Sequence, residues 1–218
     1  MSKSAIESSR VKETGADPFA TALAALRRGE VIVFPTETLY GLGADALSDT
    51  AVEKVFQLKG RDPNNPIPVL IDGRDMLGTL VADIPLLAEA LIARFWPGPL
   101  TLVLAARKDI PRPLLNSNGG IGVRLSSQPI ATQIVKALGH PLTATSANPS
   151  GEAPARTLQE AKQYFSGQID VFVDGGELTS RTGSTVVEIS ADKVKIIRAG
   201  EIGAAQLESA LGAGRIST

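Results

Sequence analysis

Polar side chains that can hydrogen-bond stand beside strand-like apolar stretches at three places in this sequence. They are Thr36, Thr38 and Tyr40 after the apolar residues 31–34, Thr145, Ser146 and Asn148 after residues 142–144, and Ser184 before residues 185–189. Open α/β sheets bind their ligands beyond the carboxyl ends of strands, so the pattern predicts a site for a small polar ligand. The alternative is that these side chains satisfy only nearby backbone groups.

Basic residues at the ends of apolar or helical stretches add positive charge to this polar set. They are Lys59, Arg61, Arg124 and Arg198. Ammonium and guanidinium groups combined with hydroxyls, and with few acids or bases, are suited to binding phosphate and carboxylate. For each cation, the alternative is a solvated surface charge on an aliphatic stem that covers apolar surface.

Composition restricts the classes of protein that could carry such a site. The 218 residues are 43% hydrophobic and 21% charged, as in an ordinary globular α/β domain. The sequence has no cysteine, which excludes disulfides, thiolate chemistry and zinc–thiolate sites and is typical of a cytoplasmic protein. The single His140 leaves no histidine cluster for a metal and argues against a histidine-based catalytic triad.

Charge and hydropathy narrow the range of partners. The net charge of −1 lacks the basic excess of a general nucleic-acid binder, although a local basic face stays open. No apolar run is long enough to cross a bilayer, so no membrane partner is expected.

Hydrophobic periodicity predicts one mixed α/β domain at residues 17–212, after a polar tail at residues 1–16. Helices are expected over residues 85–95, 128–138, 158–165 and 204–211, and strands over residues 67–71, 100–105, 121–125, 170–173, 185–189 and 194–198. With the strand at residues 31–34, these elements predict a sheet of about seven strands. The neighbouring strands near the end of the chain indicate that the sheet is not entirely parallel.

Capping residues mark the ends of two further helices. Asp17 predicts the N-cap of a helix that begins at Pro18 and ends before Gly29. The capping-box spacing that begins at Thr50 predicts a second helix, which ends near Gly60 and delivers Lys59 and Arg61 to its carboxyl end.

Glycine and proline predict irregular backbone near two strands. Gly41 and Gly43 predict a tight turn after the first strand. Pro68 cannot donate a ladder hydrogen bond, so residues 67–71 are expected to form an edge or irregular strand.

Seven short blocks of the sequence resemble, in order, the signature blocks of the YrdC-type threonylcarbamoyl-AMP synthases. They are PTETLYGL at 35–42, KGR at 59–61, FWPGPLT at 95–101, VRL at 123–125, SANPSG at 146–151, STVV at 184–187 and RAG at 198–200. The resemblance covers about residues 18–203 and implies a twisted mixed sheet with flanking helices and a concave ligand-binding face. The sequence has neither a Walker motif nor a G-x-G-x-x-G fingerprint, so the expectation of ATP use comes from the resemblance alone.

The resemblance implies a reaction in which L-threonine, bicarbonate or CO2, and ATP give threonylcarbamoyl-AMP and pyrophosphate. Separate proteins would then use the product to form N6-threonylcarbamoyladenosine in tRNA. Attack of a threonine carbamate on the α-phosphorus depends mainly on positioning and charge neutralisation. A site with neither histidine nor cysteine can provide both.

The resemblance also implies roles for individual residues. Threonine would be held by Thr38, Arg124 and Ser184, and ATP by Lys59, Arg61, Ser146, Asn148 and Arg198, with Lys59, Arg61 and Arg124 acting in catalysis and Thr36, Tyr40, Asn65 and Thr145 as further candidates. Mg²⁺ is expected to arrive with ATP, because no carboxylate cluster marks a site built by the protein. No tightly bound organic cofactor is expected.

Two other functions stay open beside the one that the resemblance implies. Leu70 stands where many members have a histidine, so a related domain that makes a carbamoyl-adenylate from a different donor is one alternative. A non-catalytic RNA-binding module that uses the same concave face is another, and a weak tRNA contact is compatible with either. One predicted helix follows residue 200, so the additional carboxyl-terminal domain of longer members is not expected.

Overall fold

The computed structural model describes residues 17–62, 64–190 and 192–217. The predicted tail at residues 1–16 lies outside the described residues. The helices are α1 (Pro18–Arg27), α2 (Asp49–Lys59), α3 (Arg74–Leu80), α4 (Leu86–Phe95), α5 (Pro129–Leu138), α6 (Leu158–Phe165) and α7 (Ala204–Leu211), with a 3-10 turn at Arg112–Leu114. The strands are β1 (Ile32–Pro35), β2 (Tyr40–Gly43), β3 (Val69–Leu70), β4 (Leu100–Ala105), β5 (Gly120–Arg124), β6 (Leu142–Thr143), β7 (Thr145–Ser146), β8 (Val171–Phe172), β9 (Thr185–Ile189), β10 (Val194–Arg198) and β11 (Ile216–Ser217).

The strands form two mixed sheets. The smaller has the order β7-β2-β1-β8, and the larger has the order β11-β10-β9-β4-β5-β3-β6. In the larger sheet β4 runs parallel to β9 and antiparallel to β5, while β9 and β10 are antiparallel. The prediction of a mixed α/β fold is therefore confirmed, and β2, β6, β7 and β11 are strands that it did not include.

The glycines after the first strand do not form the predicted tight turn. Gly41 and Gly43 lie in β2, which pairs antiparallel with β1 over Ile32–Pro35. A Cβ added at Gly43 would stand 2.8 Å from the ring of Phe34. The glycine is needed because the aromatic side chain of the neighbouring strand fills the space beside it.

The predicted N-cap of α1 and the predicted carboxyl end of α2 are confirmed, whereas the predicted start of α2 is corrected. Asp17 caps α1 by accepting a hydrogen bond from the backbone of Phe19 at 3.0 Å. The N-cap of α2 is Ser48, whose hydroxyl accepts from the backbone of Ala51 at 3.4 Å, so the assignment to Thr50 was wrong by two residues. Gly60 ends α2 in the left-handed conformation, with φ of 56°.

β3 is an interior strand of only two residues, so of the two alternatives expected here the edge strand is wrong, while the irregular strand agrees with the structure. It pairs parallel with β5 and antiparallel with β6 through Val69 and Leu70 alone. Pro68 precedes this short pairing and therefore needs no ladder hydrogen bond there.

The packed interior consists of two clusters of buried apolar side chains. The larger joins both sheets to α2, α3, α4, α6 and α7, and the smaller joins β1, β3 and β6 to α1 and α5. Among the described residues, no helix combines the length and the apolar character needed to span a membrane.

Candidate active site

Nine of the twelve predicted site residues line one cavity of about 340 Å³, whose walls come from strands and loops of both sheets. They are Thr36, Thr38, Tyr40, Arg61, Arg124, Thr145, Ser146, Ser184 and Arg198. Asn65 lines an adjoining cavity of about 570 Å³, which shares Arg61, Pro68 and Arg198 with the first. Lys59 and Asn148 lie behind the wall of the first cavity, as described below.

The turn between β1 and β2 holds two threonine hydroxyls in a fixed arrangement. Thr36 Oγ1 donates to the backbone oxygen of Leu39 at 2.7 Å and accepts from the backbone N–H of Thr38 and of Leu39, each at 3.2 Å. Thr38 Oγ1 lies 3.0 Å from Thr36 Oγ1. The hydroxyl of Thr36 therefore stabilises the turn, and the hydroxyl of Thr38 lies beside the guanidinium of Arg124.

Arg124 ends β5 and is 6% exposed. Within the described residues the one hydrogen bond of its guanidinium runs from Nη1 to Thr38 Oγ1, at a long 3.4 Å. Burial lowers the pKa of Arg124, while the charge of Glu37 acts in the opposite direction. A buried guanidinium with five N–H donors and so few partners is suited to receive an anion.

Glu37 is the counter-charge of Arg124 and was not among the predicted site residues. Its Oε2 accepts a hydrogen bond from the Ser126 hydroxyl, and its Oε1 lies 3.7 Å from Arg124 Nη1. This Oε1 is buried and has no hydrogen-bond partner among the described residues. The ion pair is therefore loose, and the guanidinium keeps donors for a ligand.

Ser184 and Arg198 meet at the junction of β9 and β10. Arg198 donates to the backbone oxygen of Ser184 at 2.8 Å and to its hydroxyl at 3.1 Å. The Ser184 hydroxyl also lies 2.8 Å from the hydroxyl of Thr101 on β4. A Cβ at Gly200 would stand 2.4–2.5 Å from the backbone of residues 183–185, so only glycine lets these two segments approach so closely.

Arg61 follows α2 and is half-buried at the mouth of the cavity. Its Nε donates to the backbone oxygen of Asn65 at 2.7 Å, and one Nη donates to Asn65 Oδ1 at 2.8 Å. Asn65 thus orients the guanidinium of Arg61 through both its backbone oxygen and its side-chain amide oxygen.

Lys59 is 3% exposed and points into the loop that follows β7. Its Nζ donates to the backbone oxygens of Ser146 and Asn148, at 2.7 and 2.8 Å. Asn148 in turn donates from its side-chain amide to the backbone oxygens of Pro149 and Glu152, at 2.9 and 2.7 Å. Of these two predicted ATP-binding residues, Lys59 faces the loop and Asn148 belongs to it, and neither lines the cavity.

The hydroxyl of Tyr40 points away from the other predicted residues. It donates to the backbone oxygen of Gly176 at 2.8 Å and accepts from the backbone N–H of Gly175 at 3.0 Å. Burial raises the pKa of Tyr40, with a further contribution from Asp174. The ring lines the cavity, while the hydroxyl anchors the loop that leads to residues 182–184.

The electrostatics of the cavity favour a ligand with several negative charges. Burial lowers the pKa of Arg198 first, and the charges of Arg124 and Arg61 lower it further. Burial likewise lowers the pKa of Arg61. Three guanidinium groups repel one another across this space, and only Glu37 lies within ion-pair distance of any of them in the described part of the chain.

Within the described ranges 17–62, 64–190 and 192–217, no three His, Asp or Glu side chains group together in a way that could hold a metal ion.

The structure adds cavity residues that sequence reasoning missed. Ala144, Pro154, Thr182, Gly183 and Ala199 line the cavity, and Thr101 supports Ser184 from below. Thr101 could have been found, since it closes the FWPGPLT block, whereas the small residues carry no chemical signal. Leu70, the departure from the family pattern, is buried in the smaller core cluster and does not line the cavity.

Comparison with known proteins identifies relatives over most of the chain. The family model for Sua5, YciO and YrdC, described as telomere recombination, matches residues 24–200. A threonylcarbamoyl-AMP synthase of Pyrococcus abyssi is 37% identical over 191 residues, which are 88% of this chain and 56% of that protein. One of Thiobacillus denitrificans is 35% identical over 169 residues, 78% of this chain and 89% of that protein.

A solved structure agrees with these sequence matches. The crystal structure of P. abyssi Sua5 complexed with L-threonine superposes with a TM-score of 0.87 at 36% identity, and the match covers 91% of this chain and 58% of that one. The chain thus spans a little over half the length of the Pyrococcus protein. Because the family model covers most of the chain and the Thiobacillus relative is matched over nearly its full length, the chain belongs to the Sua5/YciO/YrdC family.

Proposed function

We propose that this chain synthesises L-threonylcarbamoyl-AMP from L-threonine, bicarbonate or CO2, and ATP, with release of pyrophosphate. The observation that carries the proposal is a single cavity with a buried, under-bonded guanidinium at one side and two further arginines beside it. This arrangement suits a ligand pair that brings one carboxylate and several phosphate charges. Relatives named threonylcarbamoyl-AMP synthase, and one structure complexed with L-threonine, support the same substrates.

The threonine end of the cavity is assigned to Arg124, Thr38 and Ser184. Arg124 would take the carboxylate through paired N–H donors, because a guanidinium matches the two oxygens of a carboxylate. The hydroxyls of Thr38 and Ser184 already have partners within the cavity wall. They are therefore pre-oriented toward the remaining polar groups of the amino acid.

The nucleotide end is assigned to Arg61, Arg198 and Ser146. The two guanidinium groups would neutralise phosphate charge, and binding would relieve their mutual repulsion. The adjoining cavity of about 570 Å³ has room for the ribose and base. Mg²⁺ would enter as the ATP complex, since the triphosphate supplies the oxygen ligands that it prefers.

The chemical step in this proposal needs positioning more than acid–base catalysis. The threonine amine and CO2 form a carbamate, whose oxygen attacks the α-phosphorus while pyrophosphate leaves. Charge develops on phosphate oxygens, where fixed guanidinium groups stabilise it. Arg61 and Arg198 are the groups that this cavity offers for that purpose.

The product would pass to separate proteins that modify tRNA, which implies a cytoplasmic location. A weak direct contact with tRNA is compatible with this role. Neither activity requires a tightly bound organic cofactor.

Pyrophosphate release by the purified chain with ATP, Mg²⁺, bicarbonate and one amino acid at a time tests the proposal. We expect release with L-threonine and far less with alanine, because a site that binds a hydroxyl rejects analogues that lack it. Release with another donor alone would indicate a carbamoyl-adenylate synthase of different specificity. Salt-dependent tRNA binding with no ATP turnover would indicate an RNA-binding module.

A further inference from the structure

Lys59 is a buried cation that the proposed reaction does not use directly. It is the last residue of α2 and is 3% exposed, whereas Lys54 on the same helix is at the surface. A cation that served only to neutralise phosphate would be placed at the cavity surface, as Arg61 is. Its burial therefore needs another explanation.

The donors of Lys59 are matched by acceptors of one loop. Within 3.2 Å of Nζ are the backbone oxygen of Ser146 at 2.7 Å, the backbone oxygen of Asn148 at 2.8 Å, and Asn148 Oδ1 at 3.2 Å. An ammonium has three N–H donors and no acceptor. These three contacts can use all of its donors.

The backbone of Lys59 fastens the same loop a second time. Its carbonyl oxygen accepts from the backbone N–H of Ser150 at 2.7 Å. Asn148, which receives the ammonium, ties the loop to itself through the backbone oxygens of Pro149 and Glu152. The end of α2 and residues 146–152 are thus held together by both main chain and side chain.

The first residue of this loop, Ser146, belongs to the cavity wall, with Thr145 before the loop and Pro154 beyond it. Ser146 is also held from the front, because β7 pairs it with Gly41 of β2. A change behind the loop would therefore alter the position of the Ser146 hydroxyl.

We propose that Lys59 is a positioning residue that fixes residues 146–152 and so orients the Ser146 wall toward the nucleotide, without touching the nucleotide itself. This inference rests on the proposed function for the identity of the ligand. Burial, followed by the charge of Arg61, lowers the pKa of Lys59 to about 7. The cross-link therefore rests on geometry, that is, on the three oxygens of residues 146 and 148 that lie within 3.2 Å of Nζ.

Lys59→Met and Lys59→Arg test the proposal, with Lys54→Met as the matched control on the exposed side of α2. For Lys59→Met we expect faster backbone amide exchange at residues 146–152 in the ligand-free protein. The affinity for ATP and for AMP should fall by the same factor, about 10- to 100-fold, because two or three charge-assisted hydrogen bonds to the loop are lost. Lys59→Arg keeps N–H donors beside the loop oxygens and should recover most of the nucleotide affinity. Lys54→Met should match the wild type in both amide exchange and nucleotide affinity.

A direct phosphate contact makes the opposite predictions. Affinity for ATP would then fall much more than affinity for AMP, and amide exchange of the ligand-free loop would be unchanged. Either result overturns the proposal. Where Lys59→Met does not fold, Asn148→Ala provides the same measurement from the loop side, with faster exchange at residues 149–152 expected and unchanged exchange contradicting the cross-link.

These binding and exchange measurements do not depend on the threonine reaction. If the wild type released no pyrophosphate with threonine, the proposed function would fail. Amide exchange at residues 146–152 and the affinity for ATP and AMP would still show whether Lys59 positions the loop.

Discussion

Replacement of Arg124 by lysine is a direct test of the carboxylate site. Arg124 is 6% exposed, and its hydrogen bond to Thr38 is long at 3.4 Å. Lysine keeps the charge but cannot reproduce the planar pair of donors that a carboxylate accepts. We expect Arg124→Lys to bind L-threonine much more weakly while its binding of ATP alone changes far less.

The pair between Arg124 and Glu37 shows how strong a guanidinium–carboxylate interaction is in this cavity, which sets the scale for the loss of threonine affinity. Their charges lie 3.7 Å apart, and two unit charges at that distance interact by about 4.5 kcal/mol at an effective dielectric constant of about 20. Loss of one partner from a buried charge pair usually costs about 2–5 kcal/mol. Arg124→Ala should therefore weaken threonine binding about 30-fold to several thousand-fold. In Arg124→Lys, the affinity for threonine should fall at least about tenfold.

Calorimetric titration of threonine into each variant measures this loss. Arg107→Ala is the control, because its side chain is 53% exposed and lies 3.8 Å from Asp109 on the surface. It should bind threonine as the wild type does. Wild-type affinity in a folded Arg124→Lys variant would refute the carboxylate role and leave Arg124 as a strand-end residue paired with Glu37.

Three further changes have expected outcomes. Glu37→Gln should lower the melting temperature, since Arg124 is left buried without its counter-charge, yet it should tighten threonine binding because a negative charge near the ligand carboxylate is removed. The free energy of unfolding should rise between about pH 7 and 10.5, where the folded protein binds fewer protons than the unfolded chain at Lys59, and Lys59→Met should flatten that rise. Gly43→Ala should cost about 1–3 kcal/mol in chemical denaturation, because its Cβ would collide with the Phe34 ring at 2.8 Å.

Each of these has a result that contradicts its reasoning. Weaker threonine binding in Glu37→Gln would mean that the carboxylate contributes to holding the ligand. A pH profile unchanged by Lys59→Met would assign the titration to another group. Gly78→Ala is the control for Gly43→Ala, since nothing lies within 4 Å of its added Cβ, and equal losses in both would refute the role of Phe34.

Local signals in the sequence identified the elements that position the site. The Asp17 cap and the break at Gly60 fixed the ends of α1 and α2, and the strands at residues 100–105, 185–189 and 194–198 have the predicted bounds. Such segments are long and periodic enough for their neighbours in sequence to determine them. Side chains at strand ends then met in one cavity, as their positions predicted.

Tertiary contacts decided what the sequence did not reveal. Gly41 and Gly43 look like turn residues until the ring of Phe34 is placed beside them. From the sequence, Lys59 could equally be a surface cation at a helix end, because its burial depends on a loop almost ninety residues later in the chain. Glu37 lies between two predicted site residues, yet nothing local shows that its carboxylate faces Arg124.

Mass spectrometry of the adenylate formed from ¹³C-bicarbonate, L-threonine and ATP tests the central claim most directly. We predict a threonylcarbamoyl-AMP ion that is one mass unit heavier than the product from unlabelled bicarbonate, formed by the wild type and strongly reduced in Arg124→Lys. Pyrophosphate release without a labelled adenylate, or an adenylate that forms equally without threonine, would contradict the assignment of this cavity to threonylcarbamoyl-AMP synthesis.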